Sequence, residues 1–241
     1  MSESEPVPVT EGAVAADGVV FEDPEYRLAV VDLLGVIAYG ELSAFERLVD
    51  DAKLAPTVRD RVEMGAMASL EFGHVVRLHE RLRELGTDPF DAMAPFTAAI
   101  DLFHAHTAPA DWHEGLVKAY VGDGLAADFY REIAAYLDSG TRDLVIASLE
   151  DAGQADFAVR HLRRAIGEDP RLAGRLALWG RRLMGEALTQ AQRVAAERDA
   201  LSALLAGGID RPGLDLAAIG RMFTRITDRH DQRMADLGLA A

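Results

Sequence analysis

Hydrophobic positions recur along this chain with a helical period, and no stretch sustains alternation in twos, which predicts an all-α protein. Through the first long stretch the apolar stripe runs Leu34, Ile37 with Ala38, Ala44 with Phe45, and Leu48; through the second it runs Met67, Leu70, Leu78 and Leu82. Three polar residues interrupt those stripes: Glu41 in the first, Glu71 and His74 in the second. Residues three or four apart share a helix face, so all three are expected to point into a core, where an unpaired carboxylate costs several kcal/mol. Something must neutralise them. Helical bundles hold a metal ion in their core with carboxylates and Glu-x-x-His pairs on facing helices.

Punctuating residues set the predicted elements. Asp23-Pro24 reads as an N-cap followed by proline at the first helical position, opening a helix to about Asp51 that Pro56 breaks. A second helix covers Thr57 to Leu85 and stops at Gly86. Thr87-Asp88-Pro89 opens a shorter helical crossover through His106, interrupted at Pro95. Asp111 caps a third long helix to about Leu137, and Ser139-Gly140 turns the chain into a fourth from Thr141 to Ile166. Asp169-Pro170 restarts a fifth helix through Ala206, and a last one covers about Asp215 to Leu237. Residues 1–22 carry no period and are expected to form a disordered acidic tail. The expected organisation is a bundle over residues 23–167, with two further helices in 168–241 packed on it in the same domain.

The two halves of the predicted bundle echo each other. Tyr39-Gly40-Glu41-Leu42-Ser43-Ala44-Phe45 aligns with Val121-Gly122-Asp123-Gly124-Leu125 and the residues up to Phe129. Ser69-Leu70-Glu71-Phe72-Gly73-His74 aligns with Ser148-Leu149-Glu150-Asp151-Ala152-Gly153-Gln154, with one residue inserted. Duplicated helix pairs joined by a long connection are the arrangement of the ferritin-like four-helix bundle.

On these phrases the chain resembles the ferritin-like di-iron carboxylate proteins, among them the bacterial tRNA hydroxylases that oxidise the isopentenyl group of 2-methylthio-isopentenyladenosine. The resemblance covers about Asp23 to Gly167 and extends less specifically through Leu172 to Arg182 and the rest of the fifth helix. It implies that Glu41 is the first carboxylate ligand and that Glu71 and His74 are the first Glu-x-x-His pair. In the second half it implies Asp123, Asp151 and Gln154 as the matching metal-site residues, with Gln154 either a weak ligand or a hydrogen-bond partner of a ligand. Asp is a methylene shorter than Glu, and Gln offers an amide where the pattern has imidazole. Glu150 replaces Asp151 if the inserted residue forms a π-bulge. The implied cofactor is iron, two ions or one if the second position is lost. The implied chemistry is hydroxylation by activated O₂, an oxidoreductase activity. A catalytically silent ferritin-like scaffold with a degenerate site is the competing reading. Without metal, repulsion is expected to raise the pKa of at least one acid, and Glu71→Gln is expected to leave the fold intact or stabilise it.

Composition narrows the remaining classes. At 241 residues with no cysteine, the chain can bury one sizeable core but has no disulfides, thiolate metal ligands or cysteine nucleophile. The N-terminal segment has no basic region followed by an apolar one, and no stretch reaches the length of uninterrupted apolar residues that a membrane span needs. A cytoplasmic protein without a membrane partner is expected. The net charge of −15 repels phosphate backbones on average, yet residues 160–198 carry nine arginines against four acids, so a local cationic face is expected. Arg175, Arg181 and Arg182 flank Trp179 there, which offers a nucleic-acid surface beside the alternative of intramolecular ion pairs. The expected partner is a small molecule or a modified nucleoside, and a homodimer stays open. His104, His106 and His113 are expected at the surface or at helix caps, His79 and His161 as ordinary histidines, and Glu46, Asp128 and Glu132 as solvated. Tyr39, Tyr120 and Tyr130 are expected to pack in the core near the site.

Overall fold

The computed structural model describes residues 23–149, 153–206 and 216–240. The expected tail at 1–22 and the acids Glu150 and Asp151 lie outside them. Among the described residues every regular element is helical: α1 (Pro24–Ala52), α2 (Val58–Glu84), α3 (Pro89–Met93), α4 (Thr97–His106), α5 (Trp112–Ala134), α6 (Ser139–Ser148), α7 (Gln154–Glu168), α8 (Arg171–Glu197), α9 (Asp199–Ala206) and α10 (Leu216–Asp236). The caps follow the sequence signals. Asp23 accepts from the Glu25 amide at 2.9 Å with Pro24 at the first position. At α2, Thr57 accepts from the Asp60 amide at 3.1 Å while its hydroxyl donates to the Asp60 carboxylate at 2.7 Å, a reciprocal cap. Gly86 ends this hairpin arm in the left-handed region, with φ of 70°.

Helices α1 and α2 pack along most of their length, and α5 packs against α7, α8 and α10, while α3 and α4 cross between the halves. The crossover is fastened tightly, because Gly35 of α1 lies under the Ala92 carbonyl of α3. A Cβ at Gly35 would sit 2.7 Å from that carbonyl carbon, a contact that only glycine permits.

Two predicted helices are each divided in two. The fourth breaks between Ser148 and Gln154, where Gly153 adopts φ of 90°, and it begins at Ser139 because Asp138 caps it, accepting from the Thr141 amide at 2.9 Å. The fifth breaks at Arg198, which leaves helical geometry. Its guanidinium makes a fork on the buried Asp32 of α1, at 3.0 Å and 2.5 Å. A buried carboxylate with a two-point arginine partner is worth one interrupted turn.

The apolar interior is in two clusters, and the helices pass from one to the other. On α1 one cluster runs through Ala38 and the other starts at Leu48; on α2 they meet between Ala68 and Leu78. On α5 the change comes between Leu125 and Ala134. Glu41, Glu71 and His74 occupy the layer between the clusters. Helix α1 is long and apolar enough by composition to cross a bilayer, with a mean hydropathy of 1.7, but half of that window is buried inside the protein. Packing against α2, α3, α5 and α9 accounts for its apolarity.

Candidate metal centre

Helical periodicity carries Glu41, Glu71 and His74 inward, and they retain only 9%, 6% and 6% of their exposure. One donor atom from each lies within 4.8 Å of the others. His74 Nδ1 stands 3.3 Å from Glu41 Oε2 and 3.5 Å from Glu71 Oε2, and the Gln154 amide nitrogen donates to Glu71 Oε1. Burial pushes Glu41 well above the usual carboxylate range; His74 opposes the shift, while Glu71 and Asp123 reinforce it. Burial also pushes Glu71 upward, but hydrogen bonds from His74, Glu41 and Gln154 outweigh it, and the net shift is downward. Hydrogen bonds to Glu41 and Glu71 raise His74 from 6.5 to about 9. In the metal-free cluster burial therefore disposes Glu41 toward its neutral form, while the hydrogen bonds around His74 favour the charged forms of Glu71 and of the imidazole. The directions weigh against the expectation for Glu71→Gln, since Glu41 is the acid pushed toward its neutral form and Glu71 the one held toward its charged form.

The second half contributes differently. Asp123 of α5 lines a cavity of about 170 Å³ together with Glu41, Glu71 and Gln154, so it reaches the same space. Gln154 is the first residue of α7, directly after the left-handed Gly153. Gln154 donates to Glu71 from this first turn, while Asp151, its expected partner in the second half, lies outside the described residues. The choice between Glu150 and Asp151 lies outside the described residues.

A larger cavity of about 530 Å³ opens beside the cluster. Its walls include Leu33, Val36, Ile100, Phe103, Phe129 and Met222, and it shares Glu41, Asp123, Ala126, Tyr130 and Gln154 with the smaller one. Tyr130 is raised by burial and by the charges of Glu41 and Asp123. Tyr39 instead donates to Asp101 at 2.7 Å, and burial together with that hydrogen bond lifts it to about 12. His104, expected at the surface or a cap, lines the large cavity, and burial with the nearby Lys118 and Arg47 charges lowers it to about 3. Asp128, expected to be solvated, is 1% exposed and binds Arg233, with Arg131 at 3.3 Å and Arg229 at 3.5 Å. Nothing in the local pattern of α5 announces those partners, because two of them come from α10, a hundred residues downstream.

Arg175, Arg181 and Arg182 of α8 are engaged within the chain. Arg175 pairs with Glu114 at 2.5 Å and Asp111 at 2.6 Å; Arg182 donates to the His106 carbonyl at 2.6 Å and Arg181 to the Ala240 carbonyl at 3.2 Å. Trp179 is buried, and its indole N–H donates to the Glu114 carbonyl at 3.0 Å, so its ring is part of the core and not an exposed stacking surface.

A helical bundle with duplicated hairpins, a long crossover and a carboxylate–histidine layer between its two apolar clusters defines a protein of the ferritin-like class. The chain belongs to the ferritin-like domain family of actinomycetes, whose profile matches residues 24–208. Among solved structures it is similar to protein 19 with aldehyde deformylating oxidase activity from Synechococcus, with a TM-score of 0.70 and 22% sequence identity. That match covers 92% of this chain and 94% of the other. At this identity the likeness speaks for the fold. No curated protein matches the chain in sequence.

Proposed function

We propose that the protein is a metal-dependent oxidase or oxygenase of the ferritin-like class that acts on an apolar group held in the large cavity. The observation that carries this reading is the convergence of Glu41, Glu71 and His74 within 4.8 Å, with Glu41 itself on the wall of an apolar space of about 530 Å³, a volume within the range of small-molecule sites, about 300–1,000 Å³. Two carboxylates and an imidazole suit iron, and these three residues would hold one ion. Asp123 would serve a second position, together with Glu150 or Asp151, while Gln154 holds Glu71 by its amide. Bound iron supplies the activation of O₂ for C–H oxidation. The chain's own part is to release the proton of His74 as the metal enters, to orient Glu71 through Gln154, and to keep water from the reacting carbon with Leu33, Phe103 and Phe129. Iron analysis after purification with iron supplied, followed by O₂ uptake on reduction, tests the reading. Close to two irons per chain with an oxo-to-iron absorption supports it, and no retained metal sinks it.

The silent scaffold has one observation in its favour, the contacts by which His74, Glu41, Glu71 and Gln154 partner one another without metal. The same iron analysis separates the two. The narrower assignment to a tRNA hydroxylase rests on the sequence phrases alone. A prenyl group would suit the apolar cavity, but Arg175 is spent on Asp111 and Glu114 and Trp179 is buried, which takes support from an RNA surface on α8.

A further inference from the structure

The outward face of α2 carries no charge over most of its length. Between Glu63 and Arg77 the only ionisable side chains are Glu71 and His74, and both point inward, while Ala66, Ser69, Leu70, Phe72 and Val76 are exposed. Leu70 retains 53% of its exposure and Phe72 45%. The patch continues onto α1, where the ring of Phe45 lies 5.2 Å from that of Phe72 and Val49 is exposed. In a chain with 27% charged residues, an exposed apolar stretch of this length marks an interaction surface. Two glycines sit within it. Gly65 and Gly73 are in mid-helix, and a Cβ on either would meet nothing within 4 Å, so packing inside the chain gives no reason for the roughly 1 kcal/mol that glycine costs a helix relative to alanine.

The charges that end this face say what covers it. Arg59 and Glu63 stand at one end, Arg77 and Glu80 at the other. Among the described residues Arg59, Arg77 and Glu80 make no ion pair within the chain, and Glu63 has only Arg160, at 3.8 Å. We propose that the face binds α2 of a second copy of this chain, antiparallel, about a two-fold axis at Ser69 and Leu70. Each residue then faces the one equally far beyond the axis in the other copy, so Glu63 meets the partner's Arg77 and Arg59 meets the partner's Glu80, each pair occurring twice. Gly65 faces the partner's Gly73, where the missing side chains let the two backbones approach. A patch that complements itself when reversed is what a two-fold dimer requires. A face about 30 Å long and two helices wide is of the order of 600 Å², a little under the roughly 800 Å² per partner of standard interfaces, so a dimer of micromolar affinity follows. Because Glu71 and His74 project from the other side of α2, the pairing braces the helix that supplies two of the three cluster donors, whatever the cluster binds.

Sedimentation equilibrium of the full chain from about 0.1 to 100 μM tests the pairing, with a reversible monomer–dimer equilibrium as the expected result. Glu63→Arg sets arginine against arginine twice and is expected to raise the dimer Kd about tenfold. Adding Arg77→Glu is expected to restore it, since both pairs return with their signs exchanged; a loss of the Arg160 contact alone would not be repaired this way. Leu70→Lys places a cation at the axis and is expected to leave a monomer with unchanged helical circular dichroism. Should that variant unfold, the charge exchange still decides. A wild type that stays monomeric over the whole range, so that the face serves some other molecule, overturns the proposal, as does a dimer whose Kd none of these substitutions moves. A weakening by Glu63→Arg that Arg77→Glu fails to repair overturns the antiparallel register.

Discussion

The α1–α2 hairpin brings Glu41, Glu71 and His74 together from two uninterrupted helices, whereas the other side of the bundle offers Asp123 from a continuous helix and Gln154 from the first turn after a break. The first arrangement is fixed by helical register, which places side chains with little freedom. The second places Gln154 directly after the left-handed Gly153, from where its amide donates to Glu71. Rigid donor geometry is therefore supplied by the first hairpin, and the other side of the bundle meets it with Asp123 and Gln154.

Ligand substitutions put the largest effect on this contrast. Since even residues that only orient a metal ligand are worth about 10–100-fold in affinity, His74→Ala is expected to lower iron affinity by about 100-fold or more, and Asp123→Ala by about tenfold, in a competition titration with a chelator. Equal losses would break the asymmetry between the halves.

Stability of the metal-free protein gives the next largest effect. Glu71→Gln removes a carboxylate partner of the buried His74, a loss on the order of 3 kcal/mol, while Glu41→Gln replaces the acid that burial pushes toward its neutral form and is expected to change stability by less than about 1 kcal/mol. Urea unfolding in the presence of chelator measures both. A Glu41→Gln variant as damaged as Glu71→Gln would mean that the proton sits elsewhere.

Proton linkage sharpens the comparison between the site and the cavity wall. His74 is raised from 6.5 to about 9, so its contribution is fully present below pH 6.5 and is lost as pH rises through about 9. His104 is lowered from 6.5 to about 3, so it adds nothing above pH 6.5, and stability falls as pH drops toward 3 because only the unfolded chain takes up its proton. Melting curves against pH should show His104→Phe flattening the acid limb by about 1–2 kcal/mol, with the alkaline limb unchanged. The smallest expected effect is that of Gln154→Ala, about 1 kcal/mol in the metal-free protein for one lost hydrogen bond to a carboxylate.

Much of this was legible in the sequence because it is local. The polar residues on core stripes, the caps at Asp23, Thr57 and Asp111 and the stop at Gly86 all announce themselves within a few positions. The interruption of the fourth helix had a local signal as well, since Gly153 is the residue type that takes positive φ, but the match of Asp151 and Gln154 to a Glu-x-x-His phrase favoured a continuous helix. The burial of Asp128, the break at Arg198 and the position of His104 were not legible, because each depends on a partner far along the chain: Arg233 and Arg229 for the first, Asp32 for the second, and the walls of the large cavity for the third.

The contact of Gly35 with the Ala92 carbonyl has a consequence for any survey in which every position is randomised and the variants are sorted by iron retention. Gly35 touches no donor, yet it lies less than two turns before Glu41 on a helix that runs unbroken between them. Alanine there pushes the crossover away from α1, and a stiff rod passes the displacement on about 9 Å to the first carboxylate. In such a survey Gly35 should score with the ligands themselves, while its neighbour Val36, half-buried at the edge of the core and on the wall of the wide cavity, tolerates exchange better.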